Sequence, residues 1–220
     1  MDKSMAKGFF ITLEGMEGAG KSTSLKFIMK WFTERSVEPV VTREPGGTEL
    51  GERIRALVLD PQFKSMAPDT ELLLMFSARA EHLDKVIRPA LNEGKVVLCD
   101  RFTDATYAYQ GGGRGIPDER IRTLENFAQG GLRPDLTLLL DFPTELFPVE
   151  LGLARANGRS APDRFEQENR EFFNNVRKHY LEIASLEPQR VRIIDAKKKR
   201  VNVEHQISAI LDEIVWPILK

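Results

Sequence analysis

The chain has 220 residues, 41% hydrophobic and 30% charged, with 32 basic side chains against 33 acidic ones. At roughly 150 residues per domain that is one core with appendages, a single domain over residues 1–220 that needs no disulfide or metal staple. The charge balance argues against a general grip on nucleic acid or anionic lipid; one cysteine, Cys99, excludes an internal disulfide, and no apolar run reaches membrane-spanning length.

Residues Met1 to Lys7 carry charges with no apolar segment behind them, so no signal peptide is expected and the cytoplasm is the expected compartment. Phe9 to Leu13 is a short apolar run ending at glycines and predicts a buried strand. From Lys21 to Arg35, Leu25, Ile28, Met29 and Phe32 recur at three- and four-residue spacing, which predicts a helix. Val37 to Thr42 predicts a second strand closed by Pro45-Gly46-Gly47, and Leu50 to Leu59 a helix stopped by Pro61. Asp69 to Asn92 predicts a long helix adjusted at Pro89 and ended by Gly94.

The second half alternates in the same way. Strands are predicted at Lys95 to Cys99, Leu136 to Leu140 and Val191 to Ile194. Helices are predicted at Asp104 to Tyr109, Asp118 to Gln129, Val149 to Ala156, Phe165 to Ser185 and Val203 to Leu219. Continuous apolar strands between helices argue for an α/β fold, a five-stranded parallel sheet flanked by helices on both faces.

Gly15-Met16-Glu17-Gly18-Ala19-Gly20-Lys21-Ser22 fits G-x-x-x-x-G-K-[ST] and lies between the first strand and the first helix. In such a loop, glycines let successive N–H groups turn inward around phosphate at the positive end of a helix. Residues Gly15 to Thr23 are therefore expected to hold a nucleoside triphosphate, with Lys21 on the outer phosphates and the Ser22 hydroxyl on Mg²⁺. Neither the guanine-reading Asn-Lys-x-Asp string nor an Asp-x-x-Gly switch after a strand is present. Two strands end in aspartate, Asp100 and Asp141, and either suits the metal-side carboxylate. Asp100 is preferred because Arg101 beside it adds an anion ligand.

Three further strings narrow the reading: Arg43-Glu44-Pro45-Gly46-Gly47, Asp100-Arg101-Phe102, and Tyr109-Gln110-Gly111-Gly112-Gly113-Arg114-Gly115. Together and in this order they resemble the bacterial thymidylate kinases, P-loop nucleoside-monophosphate kinases, from about Phe9 to the last helix. The resemblance implies phosphoryl transfer from ATP to dTMP with Mg²⁺, by a homodimer packed through helices. Two anions must be brought together, which demands arginines around the transferred group rather than a strong base. By resemblance, Arg101 and Arg55 lie near the acceptor phosphate, Arg43, Glu44 and Pro45 shape that pocket, and Glu17 contacts the sugar hydroxyl. Arg79 corresponds to the arginine on the thymine carbonyl edge, Thr106 and Gln110 to polar contacts of the base. Met75 and Phe76 share a helix face with Arg79, and Phe76 is taken as the ring that stacks on the base, with plain core packing as its alternative.

Arg155 to Arg164 is rich in Gly, Ser, Pro and arginine, as a mobile lid over ATP would be. The phosphate loop lacks an arginine, so the lid is expected to supply a catalytic one: Arg159 first, then Arg155, with Arg164 fixing the hinge. From Phe142 to Val149 the connection runs several residues longer than is usual in the family, which leaves the following helix boundary and the lid register open. The basic run Lys197 to Arg200 reads as a solvated turn, His82, His179 and His205 have no metal-ligand spacing, and Cys99 reads as a core residue. A kinase for another monophosphate or for a deoxynucleoside, or a noncatalytic ATP-binding module, remain the alternatives at this point.

Overall fold

The computed structural model describes residues 8–146 and 163–220. Its five strands are β1 (Phe9–Glu14), β2 (Val40–Arg43), β3 (Val96–Asp100), β4 (Leu136–Asp141) and β5 (Val191–Asp195). They form one all-parallel sheet in the order β2-β3-β1-β4-β5. Every turn after a strand therefore opens at the same edge, with β1 at the centre, where open α/β sheets bind ligands.

The helices between them are α1 (Lys21–Thr33), α2 (Glu49–Leu59), α3 (Pro68–His82), α4 (Thr103–Thr106), α5 (Asp118–Gln129), α6 (Arg170–Leu186) and α7 (Arg200–Ile210). Wide π-type turns extend three of them: α3 continues through Leu83–Ile87 and Arg88–Asn92, α4 through Tyr107–Gly113, and α7 through Leu211–Val215 and Trp216–Leu219. The long Asp69 to Asn92 helix is thus present, adjusted six residues before Pro89. The α4 extension runs on through Gly111 to Gly113, further than polar glycine-rich sequence suggested.

Side chains alternate across β1. Ile11 and Leu13 join Ile28, Phe32, Leu98, Leu138, Ile207 and Leu211 on one face, while Phe10 joins Leu83, Ile87, Val97, Cys99 and Phe102 on the other. Burying such a side chain contributes about 1.5–3 kcal/mol, so these two layers hold the sheet in place. A third apolar group, among it Val58, Ala108, Tyr109, Phe165, Phe172, Val176 and Tyr180, binds α6 and the α4 extension to the loop edge. The approach there is close: a Cβ on Gly113 would collide with the Phe172 ring. That contact explains a glycine where helical sequence would place a side chain.

Boundaries differ from the predicted ones for local reasons. β2 starts at Val40, after Pro39, rather than at Val37. α6 starts at Arg170 rather than Phe165, because Asn169 caps it by accepting from the Phe172 N–H at 2.8 Å. Asp163 holds Phe165 and Glu166 in a turn before it. α7 starts three residues early, at Arg200. The predicted Val149 to Ala156 helix, most of the lengthened connection and most of the lid lie outside the described residues.

Candidate active site

The phosphate loop leaves β1 at Gly15, whose φ of +135° and whose contact with the Leu140 carbonyl, 2.6 Å from any added Cβ, admit only glycine. Gly18 and Gly20 also take positive φ. Lys21, the first residue of α1, folds back so that Nζ donates to the carbonyls of Gly15 at 2.8 Å and Met16 at 2.9 Å. Burial, then the Arg101 guanidinium, pushes its pKa down to about 8. These carbonyls hold the ammonium in place where a phosphate would take over.

Asp100 and Asp141 end β3 and β4, the strands on either side of β1, with opposite bonding. Asp141 is engaged by Arg177 in a two-pronged pair at 2.7 and 2.9 Å. Asp100 keeps a buried Oδ1 with no hydrogen-bond partner. A buried carboxylate oxygen left open beside the phosphate loop, with the exposed Ser22 hydroxyl at the start of α1, suits Mg²⁺, which takes one or two carboxylates and fills its octahedron with water and phosphate oxygens. Among the described residues no cluster of three His, Cys, Asp or Glu stands ready for a metal, so the protein offers a partial shell only.

Beside this edge lies a cleft of about 600 Å³ that opens to solvent. At its phosphate-loop end, Arg101 adopts φ +70°, a left-handed conformation that costs an arginine about 1–2 kcal/mol. The surroundings enforce it. Arg101 Nη2 donates to Glu17 Oε1 at 2.7 Å and to the Tyr109 hydroxyl at 3.1 Å, and Nη1 to the Tyr180 hydroxyl at 3.3 Å. Tyr109 in turn donates to Glu17 Oε2 at 2.6 Å. Burial would raise the Glu17 pKa, but Arg101 and Lys21 outweigh it and hold the carboxyl below its ordinary value. Tyr180 donates to Glu14 Oε2 at 2.7 Å. Glu14 is wholly buried, and burial followed by the nearby Asp104 charge raises its pKa to about 7. Arg55 enters the same end from α2, where Nη1 donates to the Pro45 carbonyl at 2.9 Å. Burial, then Arg43, pulls the Arg55 pKa down, so this end has room for a negative charge.

The far end is built on α3 and α4. Arg79 is buried, with Nε on Glu44 Oε2 at 2.7 Å and Nη2 on Thr106 Oγ1 at 2.9 Å. Its Nη1 is buried without a partner. Glu44 also pairs with His82 Nδ1 at 3.0 Å, and His82 Nε2 meets Thr42 Oγ1 at 2.6 Å. Gln110 donates Nε2 to Glu71 Oε1 at 2.7 Å.

Eight of the ten residues expected around the acceptor, Glu17, Glu44, Pro45, Arg55, Arg79, Arg101, Thr106 and Gln110, line this one cleft. Two do not. Arg43 is exposed and paired with Glu52 at 2.8 Å, because the side chain turns out onto α2. Phe76 is buried with Leu72, Tyr107, Ile116 and Ile121, and the Arg79 guanidinium stands 4.8 Å from its ring centre. Its neighbour Met75 lines the cleft instead, so the core alternative describes Phe76. Arg164 is buried at the cleft's outer margin, with Nε on the Val58 carbonyl at 2.8 Å and Nη2 paired with Glu71; it ties the segment down. Arg155 and Arg159 lie outside the described residues.

Sequence reasoning missed Glu14, Tyr109, Tyr180, Glu71, Asp163 and Phe165. Glu14 left a signal, a carboxylate closing an otherwise apolar strand just before the first glycine. Glu71 left none, since it sits in a helix with Asp69 and reads as part of a wet face.

A phosphate loop at the centre of a five-stranded parallel sheet, opening onto a cleft with converging arginines, defines a P-loop phosphotransferase of the nucleoside-monophosphate kinase type. A family model described as thymidylate kinase matches residues 13–207. The chain is 59% identical over 208 residues to thymidylate kinases of Ectopseudomonas mendocina and Pseudomonas putida GB-1, covering 94% of this chain and 97% of each relative. The crystal structure of thymidylate kinase from Ehrlichia chaffeensis superposes with a TM-score of 0.70 at 32% identity, over 93% of this chain and 98% of that one. The chain belongs to the thymidylate kinase family and is a phosphotransferase.

Proposed function

We propose that this chain transfers the γ-phosphoryl group of ATP to the phosphate of dTMP, giving dTDP and ADP, and that the cleft is the dTMP site. The observation that carries the reading is one cavity with two unlike ends. Arg55 and Arg101 meet beside the phosphate loop, while Arg79 Nη1 and the Gln110 amide stand at the other end with bonding capacity to spare. A nucleoside monophosphate has that polarity, an anion at one end and a hydrogen-bonding edge at the other.

In this reading an oxygen of the acceptor phosphate forms the new bond to the γ-phosphorus as the bond to the β–γ bridging oxygen breaks and ADP departs. The acceptor is already anionic, so the protein supplies position and charge rather than a base. Residues Gly15 to Thr23 hold the ATP phosphates, and Lys21 leaves the Gly15 and Met16 carbonyls for the outer ones. Ser22 and Asp100 would hold Mg²⁺, which when bound neutralises charge on the outer phosphates. Arg55 and Arg101 receive the acceptor phosphate, and Glu17, between Arg101 and Tyr109, meets the sugar hydroxyl. Arg79, Thr106 and Gln110 meet the base, with Glu44 and Pro45 forming the wall beside Arg79 and Arg55. The lid arginines Arg159, then Arg155, complete the transfer site.

No helix among the described residues is long and apolar enough to cross a membrane, and the cytoplasm, where ATP and dTMP are both available, is the proposed compartment. A homodimer through helices is supported by large apolar side chains left in solvent on three helices, α3 packing against both α2 and α5: Leu57 on α2, Leu73 on α3 and Phe127 on α5. Light scattering at micromolar concentration checks it, with twice the chain mass expected.

The function is tested by coupled ADP release with dTMP, dUMP, dCMP, dGMP and AMP as acceptors, each with ATP and Mg²⁺. Turnover is expected with dTMP and at most weakly with the purine and cytosine nucleotides. No turnover with dTMP, or a faster rate with AMP or dGMP, contradicts the reading.

A further inference from the structure

Glu71 is a wholly buried carboxylate in α3. It accepts from Gln110 Nε2 at 2.7 Å and from Arg114 Nε at 3.2 and 3.3 Å, and it pairs with Arg164. Arg114 is also tied to Glu168 at 2.6 Å. A carboxylate between two guanidiniums is an acceptor only, so the group it can receive from Gln110 is the NH₂. An amide that gives its nitrogen to one side must show its oxygen to the other. Among the described residues none donates to Gln110 Oε1, and Gln110 lines the cleft with Arg79, whose Nη1 is an unpaired buried donor.

We propose that Glu71 is a positioning residue for base selection: by holding the Gln110 nitrogen it fixes the cleft's polar edge as a donor from Arg79 beside an acceptor from Gln110. This rests on the reading of the cleft as the acceptor-nucleotide site. A donor beside an acceptor matches an imide edge, carbonyl oxygen next to N–H, as in thymine and uracil. Cytosine presents the reverse, an amino group next to a bare ring nitrogen. It would set N–H against N–H and lone pair against lone pair, leaving buried polar groups unpaired on both sides, the arrangement through which hydrogen-bonding sites reject analogues most strongly. The selectivity lies in which way one amide is turned, and Glu71, which itself is absent from the cleft wall, sets it.

The substitution Glu71→Gln tests this. The flanking Arg114 and Arg164 donors claim the new carbonyl oxygen, so the new NH₂ faces Gln110. Gln110 must then accept with Oε1 and turn its own NH₂ into the cleft. The acceptors to compare are dTMP and 5-methyl-dCMP, which have the same shape and differ in this edge alone. The wild-type enzyme is expected to prefer dTMP in kcat/KM by on the order of 10³-fold or more, and Glu71→Gln to lower that ratio at least about tenfold. The change is expected mainly in KM, with kcat for dTMP moving less.

Equal loss of activity on both acceptors with the ratio unchanged means that Glu71 only supports the fold, and overturns the proposal. A wild-type enzyme that turns over neither nucleotide overturns the cleft assignment instead. If Glu71→Gln does not fold, a neutron structure of deuterated wild-type protein with dTMP decides. Deuterium on the Gln110 atom facing Glu71 upholds the proposal, and deuterium on the atom facing the base overturns it.

Discussion

The two ends of the cleft solve opposite problems. At the proposed base end, Glu44, Arg79, His82 and Thr106 form one buried hydrogen-bonded group and Gln110 with Glu71 another, and among the described residues Arg79 Nη1 has no partner and none donates to Gln110 Oε1. Nothing there has to move to receive a ligand. At the proposed phosphate end the bonds are ones a phosphate would replace: Lys21 rests on loop carbonyls, Arg101 is held on Glu17 in a strained backbone, and Asp100 Oδ1 has no partner. Selection among bases requires a rigid template, whereas transfer requires charges that exchange partners as phosphates arrive and leave. The contrast assigns stability to one end and turnover to the other.

The sharpest break of that contrast is Lys21→Ala. It is expected to cut kcat about 10³-fold while leaving the dTMP dissociation constant, measured by calorimetry, within about threefold of the wild type. In the wild type, kcat/KM for ATP is expected to fall as pH rises past about 8, because burial and Arg101 hold the free-enzyme Lys21 pKa there. Arg79→Ala should do the reverse of Lys21→Ala. Removing it leaves the Glu44 carboxylate buried with His82 alone, costing about 3 kcal/mol and several degrees of melting temperature, alongside a large rise in KM for dTMP.

Glu14 joins the two behaviours, since it holds Tyr180, which holds Arg101. Its folded pKa, about 7, stands above the ordinary 4.5 because of burial. Between those values the folded chain binds more protons than the unfolded one, so stability is full below pH 4.5 and is lost as pH rises through 7. The loss attributable to this group is about 3 kcal/mol. Glu14→Gln should flatten the melting temperature across pH 5 to 8, and an unchanged slope would remove Glu14 from the account. The smallest effects separate two arginines that are alike in sequence. Arg55→Ala should raise KM for dTMP by about 10- to 100-fold. Arg43→Ala, which breaks only an exposed pair with Glu52, should change it by less than about threefold.

The elements legible in sequence were those set by local chemistry. The central strands β1, β3 and β4 declared themselves because both faces are buried and their residues are mostly apolar, and the phosphate loop because its glycines follow β1 directly. The α6 start was misplaced since Phe165 is apolar for its contact with Tyr109 rather than for a helix face, and only Asn169 caps the helix. Arg43 and Phe76 misled for a shared reason. Motif position fixes the backbone, but the side-chain direction depends on partners outside the motif, Glu52 on the next helix for one and Tyr107, Ile116 and Ile121 for the other. Glu71 was invisible because its partners lie 39, 43 and 93 residues away, and a buried carboxylate in a helix has the same letter as a solvated one.

The central claim, a preset base end beside a phosphate end that exchanges partners, is tested most directly by a crystal structure with dTMP and a non-hydrolysable ATP analogue. The account requires thymine on Arg79 and Gln110 with the Arg79–Glu44 and Gln110–Glu71 bonds intact, and Lys21 Nζ moved from the Gly15 and Met16 carbonyls onto phosphate. Thymine bound elsewhere, an opened Arg79–Glu44 pair, or Lys21 still on its loop carbonyls would contradict it.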